Sequence, residues 1–210
     1  MVTKNNHFRG KKKHSFYFKQ ENLNRLLIIS GHTDLATSVA NKTILETLAN
    51  RLPKAEIVKL DELYPDFKIN VEAEQQRLIR ADIIVLQFPV FWYSAPSILE
   101  RWMEETFRHG FSHGSTGDKL KGKKLILSFT TGAPEAMYSH EGAMGYDIED
   151  FLHCYKATCR LCQMEFAGYV YTGGVSYGNR TSIELIEQQK IASEEHAQRL
   201  IELLEKTSRR

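Results

Sequence analysis

From Arg25 onward, short apolar runs alternate along this chain with segments of helical periodicity. The apolar runs are bounded by turn residues, which predicts buried strands at residues 26–29, 56–60, 83–88, 124–129 and 166–171. Between and after them, apolar positions recur with a period near 3.6, which predicts helices at residues 38–52, 71–80, 97–107, 148–162 and 182–204.

Strands that alternate with helices favour a parallel sheet covered by helices on both faces. A chain of 210 residues is long enough for one such domain and short for two. We therefore predict an α/β fold in which a five-stranded parallel sheet forms one domain over residues 25–210. Ligands of such folds bind beyond the carboxyl ends of the strands, so the loops at 30–38, 88–96 and 129–147 are the candidate site.

Composition and charge are typical of a globular protein. Hydrophobic residues make up 42% and charged residues 26%, and the formal net charge of +2 gives no reason to expect a nucleic-acid partner. No apolar run approaches the roughly 20 residues of a membrane span, and the N-terminus lacks the apolar stretch of a secretory signal. We expect a cytoplasmic protein.

Three cysteines lie close together in the sequence, at Cys154, Cys159 and Cys162. An odd number without a disulfide framework suits a reducing compartment. On a helix these spacings do not bring all three thiols onto one compact face, and a zinc site would need a fourth ligand. We expect ordinary buried thiols and no metal.

Residues 1–24 are basic, with six lysines and arginines against the single acid Glu21. The segment shows neither helical nor strand periodicity over a useful length. We expect a solvated, partly disordered extension. A tail that binds RNA, lipid or a protein partner is the alternative, because short lysine runs attract polyanions of any kind.

The loop after the first predicted strand, residues 30–38, leads directly into a helix. It contains neither the G-x-G-x-x-G pattern of dinucleotide sites nor the Gly-Lys-Ser/Thr of a P-loop. A hydroxyl-rich turn at a helix N-terminus suits a monophosphate, because unpaired amides and the helix dipole can point at one anion. His32 could add a charged donor. Alternatively, Ser38 only caps the helix and His32 is an exposed turn residue.

The loop after the third predicted strand, residues 88–96, has the sequence FPVFWYSAP. This concentration of aromatic and proline residues is unusual for a loop that faces solvent. A flat aromatic ligand would explain it, because stacking needs rigid π-faces. A hydrophobic contact with a second subunit is another explanation, and ordinary loop packing is a third.

The loop after the fourth predicted strand begins Thr130-Thr131-Gly132-Ala133 and continues to Tyr138. Small residues let backbone N–H groups approach a ligand closely. Donors placed where negative charge develops stabilise that charge, and the hydroxyl of Tyr138 could supply one more. Because Thr-Thr-Gly is a common turn composition, this loop alone is a weak signal for a ligand site.

Together these segments resemble the flavodoxin-like NAD(P)H dehydrogenase (quinone) family, from Arg25 to about Gly178. The matching residues are His32 with Ser38 and Asn41, LYPDF at 63–67, the segment 88–96, and Thr130-Thr131-Gly132. The YPDF segment and the intact WYSAP at 92–96 are most similar to a branch of ancillary oxidoreductase subunits of glutathione-gated potassium-efflux systems. The modulators of drug activity form another branch of the family.

The resemblance implies a flavodoxin-like fold, a noncovalent flavin, NAD(P)H as co-substrate, and a homodimer with active sites between the subunits. The short region after Gly178 leaves little room for an adenosine-binding extension, which favours FMN over FAD. Carried over by position, the phosphate side of the flavin would be held by His32, Ser38 and Asn41. The isoalloxazine would be lined by Pro89, Val90, Phe91, Trp92 and Tyr93. Its pyrimidine edge would contact Thr130, Thr131, Gly132 and Ala133, with Tyr138 beside the substrate as the catalytic residue.

The chain departs from the family pattern at several positions. Met144 stands where larger relatives place a catalytic histidine, and His140 and His113 are out of register with that position. Ala133 replaces a usual second glycine. Asp34 places an acid in the phosphate loop, where it must point away from the anion or weaken its binding. These departures concern the proton donor more than the flavin site.

The function that the resemblance implies is a flavin-dependent NAD(P)H:quinone-type oxidoreductase with two-electron, ping-pong hydride transfer to a quinone or similar electrophile. The alternative is a flavoprotein that binds and gates a potassium-efflux transporter, peripheral at the inner face of the membrane. A one-electron carrier is disfavoured because such proteins are typically strongly acidic, whereas this chain is slightly basic.

Overall fold

Each predicted apolar run is a strand in the structure, a computed structural model that describes residues 25–209. The strands are β1 (Leu26–Ser30), β2 (Glu56–Lys59), β3 (Ile83–Pro89), β4 (Lys124–Thr130) and β5 (Glu165–Thr172). They pair in parallel in the order β2-β1-β3-β4-β5. The predicted five-stranded parallel sheet is therefore confirmed, whereas the basic extension predicted at residues 1–24 lies outside the described residues.

Six α-helices connect and follow these strands in the described part of the chain. They are α1 (Ala40–Arg51), α2 (Leu60–Leu63), α3 (Val71–Arg80), α4 (Ser97–Thr106), α5 (His153–Leu161) and α6 (Ile183–Thr207). Within residues 25–209, none combines the length and the apolar character that crossing a membrane requires.

Alternate residues of the strands point to two separate hydrophobic layers, as expected for a sheet with period-two side chains. Leu27 and Ile29 of β1 contribute to the layer that α3, α4 and α5 cover. Leu26 and Ile28 contribute to the opposite layer, which α1 and α6 cover. Both faces of the sheet are therefore buried, and its carboxyl edge is where polar loops can gather.

Element boundaries differ from the sequence prediction where local capping decides them. The predicted helix at 148–162 is a 3-10 turn (Ile148–Leu152) followed by α5, and Asp147 with Asp150 forms a capping box on that first turn. The predicted helix from Ser38 begins at Ala40, because Ser38 is extended and its hydroxyl accepts a hydrogen bond from the Asn41 N–H at 3.1 Å.

A buried histidine joins α6 to the sheet. His196 Nε2 lies 2.8 Å from the Ser128 hydroxyl of β4, and its Nδ1 lies 2.9 Å from the Thr172 hydroxyl of β5. Burial lowers the pKa of His196 to about 3, so the ring is neutral at physiological pH. These contacts hold together the elements on either side of residues 173–182, the segment between β5 and α6.

Candidate flavin site at the carboxyl edge of the sheet

The loops that follow β1, β3 and β4 meet at one edge of the sheet, as the topology requires. The backbone N–H of Val90 donates to the carbonyl of Thr130 at 2.8 Å. The side-chain amide of Asn41 donates to the Thr130 hydroxyl at 3.2 Å and accepts from Gln87 Nε2 at 2.6 Å. Candidate residues from three separate parts of the sequence thus form one hydrogen-bonded group.

His32 is a buried member of the loop after β1, with 2% of its surface exposed, and is not the exposed turn residue allowed as an alternative. Its Nδ1 accepts a hydrogen bond from the Asp34 N–H at 2.9 Å, which leaves the proton of a neutral ring on Nε2. Burial lowers its pKa. His32 therefore offers a neutral N–H donor at pH 7 in place of the charged donor considered from the sequence.

Ser38 and Asn41 lie at the base of the same loop and are both buried. The Ser38 hydroxyl caps α1, yet its own O–H remains available to donate to a ligand. The Asn41 amide contacts Ser38, Gln87 and Thr130. Asn41 thus ties the loop to β3 and β4, and its direct contact with a phosphate stays a prediction.

Backbone N–H groups at His32 and Thr33 add to these side-chain donors. Among residues 25–209, no acceptor is paired with the backbone N–H groups of His32 and Thr33. Asp34 is exposed, and the contact it makes with His32 comes from its backbone N–H. Unpaired amides before a helix suit an anion, so this donor set fits the terminal phosphate of a flavin mononucleotide.

The aromatic loop after β3 makes a tight reverse turn. Phe91 and Ser94 exchange backbone hydrogen bonds of 3.0 and 3.1 Å, and the two residues between them have positive φ angles, 51° at Trp92 and 66° at Tyr93. Bulky residues in this conformation cost about 1–3 kcal/mol each and occur most often at functional sites. The turn projects Trp92 into solvent with 94% of its surface exposed.

The loop after β4 presents free backbone donors beside this turn. The Thr131 hydroxyl points inward, 2.8 Å from the Ala133 carbonyl and 2.9 Å from the Tyr171 hydroxyl. Within the described residues, the N–H groups of Gly132 and Ala133 have no acceptor. Such donors fit the carbonyl-rich pyrimidine edge of an isoalloxazine, and the family-based assignment of this loop to that edge stays a prediction.

Tyr138 lies at the mouth of the site, half-buried in an aromatic cluster. Its ring is edge-on to Tyr171 at 6.1 Å and to Phe151 at 6.2 Å, and Phe151 stacks on Tyr93 at 5.4 Å. Burial raises the pKa of Tyr138, so its hydroxyl stays protonated and can donate. Met144 takes part in this cluster as well, with its sulfur 3.6 Å from the Tyr93 hydroxyl.

The remaining candidate groups lie outside this arrangement. His140 pairs with Asp147 at 3.2 Å and with Asp150 at 3.8 Å on the exposed side of the loop. Cys159 and Cys162 are buried, as expected, and burial raises the pKa of Cys159 to about 12. Cys154 is exposed, so the expectation of three buried thiols is wrong for this residue, whose helix turns it to the surface.

Two residues near the site were not found from the sequence. Arg180 donates through Nη1 to the carbonyl of Thr37 and stacks on the ring of Tyr177 at 3.8 Å. Both belong to residues 173–182, which extend from the carboxyl end of β5. The same rule that directed attention to the other three loops would have included this one.

A doubly wound sheet with unpaired backbone donors after its first strand and an aromatic turn beyond its third has the arrangement of a flavodoxin-like fold, in which ligands bind beyond the carboxyl ends of the strands. A family model described as flavodoxin-like fold matches residues 24–197. The chain is 37% identical over 145 residues to the uncharacterized NAD(P)H oxidoreductase YrkL of Bacillus subtilis (strain 168), covering 68% of this chain and 81% of that protein. The chain belongs to the flavodoxin-like NAD(P)H dehydrogenase (quinone) family, as its motifs implied.

Two further relatives bear on the site. The ancillary protein KefF of the glutathione-regulated potassium-efflux system of Enterobacter sp. (strain 638) is 38% identical over 141 residues, or 67% of this chain and 78% of KefF. The crystal structure of general stress protein 14 from Treponema denticola in complex with FMN superposes with a TM-score of 0.76 at 27% identity. That match covers 85% of this chain and 99% of the other.

Proposed function

We propose that this protein is an FMN-dependent NAD(P)H oxidoreductase that reduces quinones or similar flat electrophiles. The observation that carries the proposal is the meeting of two donor sets at one edge of the sheet: the amides of His32 and Thr33 and those of Gly132 and Ala133, all without an acceptor among residues 25–209. The first suits a phosphate and the second suits a flavin ring edge. Relatives named as an NAD(P)H oxidoreductase and as an FMN complex support it.

The residues of this chain would divide the work by position. His32 and Ser38 would hold the phosphate, and the turn formed by Pro89, Val90, Phe91, Trp92 and Tyr93 would position the ring. Bound FMN supplies the hydride chemistry, since the protein side chains have none of their own. The backbone from Thr130 to Ala133 would stabilise negative charge at the pyrimidine edge, with Tyr138 as an additional donor to the reacting molecule.

We expect the purified protein to be yellow and to hold about one FMN per chain. The measurement is the absorption spectrum and mass of the released flavin, followed by NADH and NADPH oxidation with excess benzoquinone. This test uses the wild-type protein. Colourless protein that fails to quench the fluorescence of added FMN would refute the flavin site, and flavin without quinone-dependent turnover would refute the enzyme.

We also propose that the protein is a homodimer. Phe91, Trp92 and Tyr93 are exposed, as is Tyr146, whose ring contacts the same Phe151 as Tyr93. Exposed apolar patches mark interaction sites. We expect sedimentation at micromolar concentration to show a species near twice the 24.2 kDa chain mass. Trp92→Ser should shift this species toward the monomer. A wild-type protein that sediments only as the monomer would contradict the proposal.

A regulatory subunit of a potassium-efflux transporter is the second candidate, favoured by the similarity to KefF. Such a subunit would need a membrane partner to function, whereas it would not need to turn over a quinone. Co-purification with an efflux subunit in the absence of quinone-dependent oxidation would favour this candidate. Rapid turnover with excess quinone and no retained partner would favour the enzyme.

A further inference from the structure

The loop after β1, residues 31–38, contains an acidic side chain and no lysine or arginine to balance the charge of a bound phosphate. Asp34 is the only charged residue between Gly31 and Ser38. A second carboxylate, Asp61, accepts a hydrogen bond from the Leu35 N–H at 2.7 Å. His32 is neutral at pH 7 because burial lowers its pKa. Among residues 25–209, this loop and Asp61 would offer a phosphate dianion two negative charges and neutral donors, and like charges repel.

Arg180 brings the missing positive charge from a distant part of the sequence. Its Nη1 donates to the carbonyl of Thr37, and among residues 25–209 it is the only cationic side chain hydrogen-bonded to the loop from Gly31 to Ser38. Its charge also acts on His32: burial is the main cause of the lowered pKa, Asp61 and Asp34 oppose it, and Arg180 lowers it further.

The guanidinium is held in place before any ligand binds. It stacks on the ring of Tyr177 at 3.8 Å, and the Tyr177 hydroxyl lies 3.5 Å from the Thr37 hydroxyl. The turn that carries both residues is tied to α6, since Gln189 Nε2 donates to the Ser176 carbonyl at 2.7 Å. It is tied to the loop after β4 as well, through the Val175 N–H and the Thr131 carbonyl at 3.1 Å.

One donor of this preorganised guanidinium is unused. Arg180 Nε is buried and has no hydrogen-bond partner within the described chain. A charged donor left unpaired away from water is costly, and an incoming anion that accepts from it removes that cost. An arginine fork is well matched to a phosphate.

We propose that Arg180, oriented by Tyr177, is the residue that recognises the phosphate of the flavin and makes the site selective for FMN over riboflavin. The inference rests on the proposed function, because it assigns the charge recognition within the FMN site. It adds a fourth loop, residues 173–182, to the three that the family motifs define.

The test compares FMN and riboflavin binding to the full chain stripped of flavin, by fluorescence quenching. Arg180→Gln should weaken FMN binding about 10- to 100-fold, the effect of losing charge-assisted hydrogen bonds, while riboflavin affinity stays within about twofold. Arg180→Lys, which keeps the charge, should lose much less FMN affinity. The matched control is Arg51→Gln, since Arg51 is exposed at the other end of α1 and bonds to Gln198; it should leave both affinities unchanged.

Salt supplies a second readout. Raising the ionic strength should weaken FMN binding to the wild type and to the Arg51 variant, and should affect Arg180→Gln less, because screening acts on the charge that this variant lacks. If Arg180→Gln weakens FMN and riboflavin by the same factor, Arg180 only shapes the turn and the inference is wrong. If FMN affinity is unchanged, it is also wrong, although the flavin site stands. A wild type that binds neither flavin overturns the proposed function and the inference with it.

Discussion

Glu74→Ala should lower the free energy of unfolding by about 3–5 kcal/mol, the largest effect we expect from a single substitution. Glu74 is on α3 and is 0% exposed. One carboxylate oxygen accepts from the Tyr64 hydroxyl at 2.7 Å, and the other accepts from the indole N–H of Trp102 at 2.9 Å. Arg77 pairs with the same carboxylate. Removing it leaves three donors without their acceptor in a buried place, which is costly.

This network bears on function because it supports α4, the helix that begins just after the aromatic loop. Urea unfolding followed by circular dichroism measures the effect. The control is Glu62→Ala, which removes an exposed carboxylate paired with Lys59 at 3.0 Å and should cost less than about 1 kcal/mol.

If Glu74→Ala does not fold, Glu74→Gln retains the shape and one acceptor for Tyr64 and Arg77, and we expect it to lose about 1–3 kcal/mol because its NH2 group then faces the Trp102 N–H. A loss below 1 kcal/mol in both variants would show that the carboxylate is not the centre of this packing.

Tyr138→Phe should slow a chemical half-reaction about tenfold and leave FMN affinity nearly unchanged. Removing a fully engaged donor from a site of developing charge costs about 2–4 kcal/mol of barrier. We expect about 1–2 kcal/mol here, because the N–H groups of Gly132 and Ala133, which have no acceptor among residues 25–209, share that charge. The raised pKa of Tyr138, caused by burial, keeps the proton on the hydroxyl. Met144, in the place where a second donor was expected, contributes a sulfur that donates no proton.

Stopped-flow absorbance of the flavin, reduced by NADPH and reoxidised by quinone, separates the two half-reactions. Tyr146→Phe is the matched control, since Tyr146 is in the same loop, contacts Phe151 at 6.0 Å and is exposed; its rates should equal those of the wild type. Rates within a factor of two of wild type for both half-reactions of Tyr138→Phe would mean that this tyrosine is only a surface residue of the aromatic cluster.

The sequence motifs that carried the family resemblance turn out to have unequal roles in the structure. Of the LYPDF segment, Tyr64 is a buried anchor for Glu74, so part of that motif is explained by stability. The segment at 92–96 has a strained turn with positive φ at Trp92 and Tyr93, which packing alone does not require. The sequence alone does not show whether a motif residue stabilises the fold or shapes the candidate site, because either role produces the same match to the family motif.

The sequence by itself determined the number of strands and their order along the chain, the helices between them apart from the short α2, and the edge of the sheet where the candidate site lies. Buried strand runs and helical periods are local properties, and the parallel arrangement follows from their alternation. The same local information placed Gly132, Ala133 and Tyr138 in one loop after β4. Boundaries moved by a few residues where caps decided them, as at Ser38 and Asp147.

Only the tertiary structure decided the charges and donors of the site. The neutral state of His32 depends on its burial and on the Asp34 N–H. The contact between Arg180 and Thr37 joins residues 143 positions apart, and the Glu74 network joins α3 to α4. Burial and pairing at long range arise from how elements pack, and they set hydrogen-bond partners and pKa values that no local pattern of residue types contains.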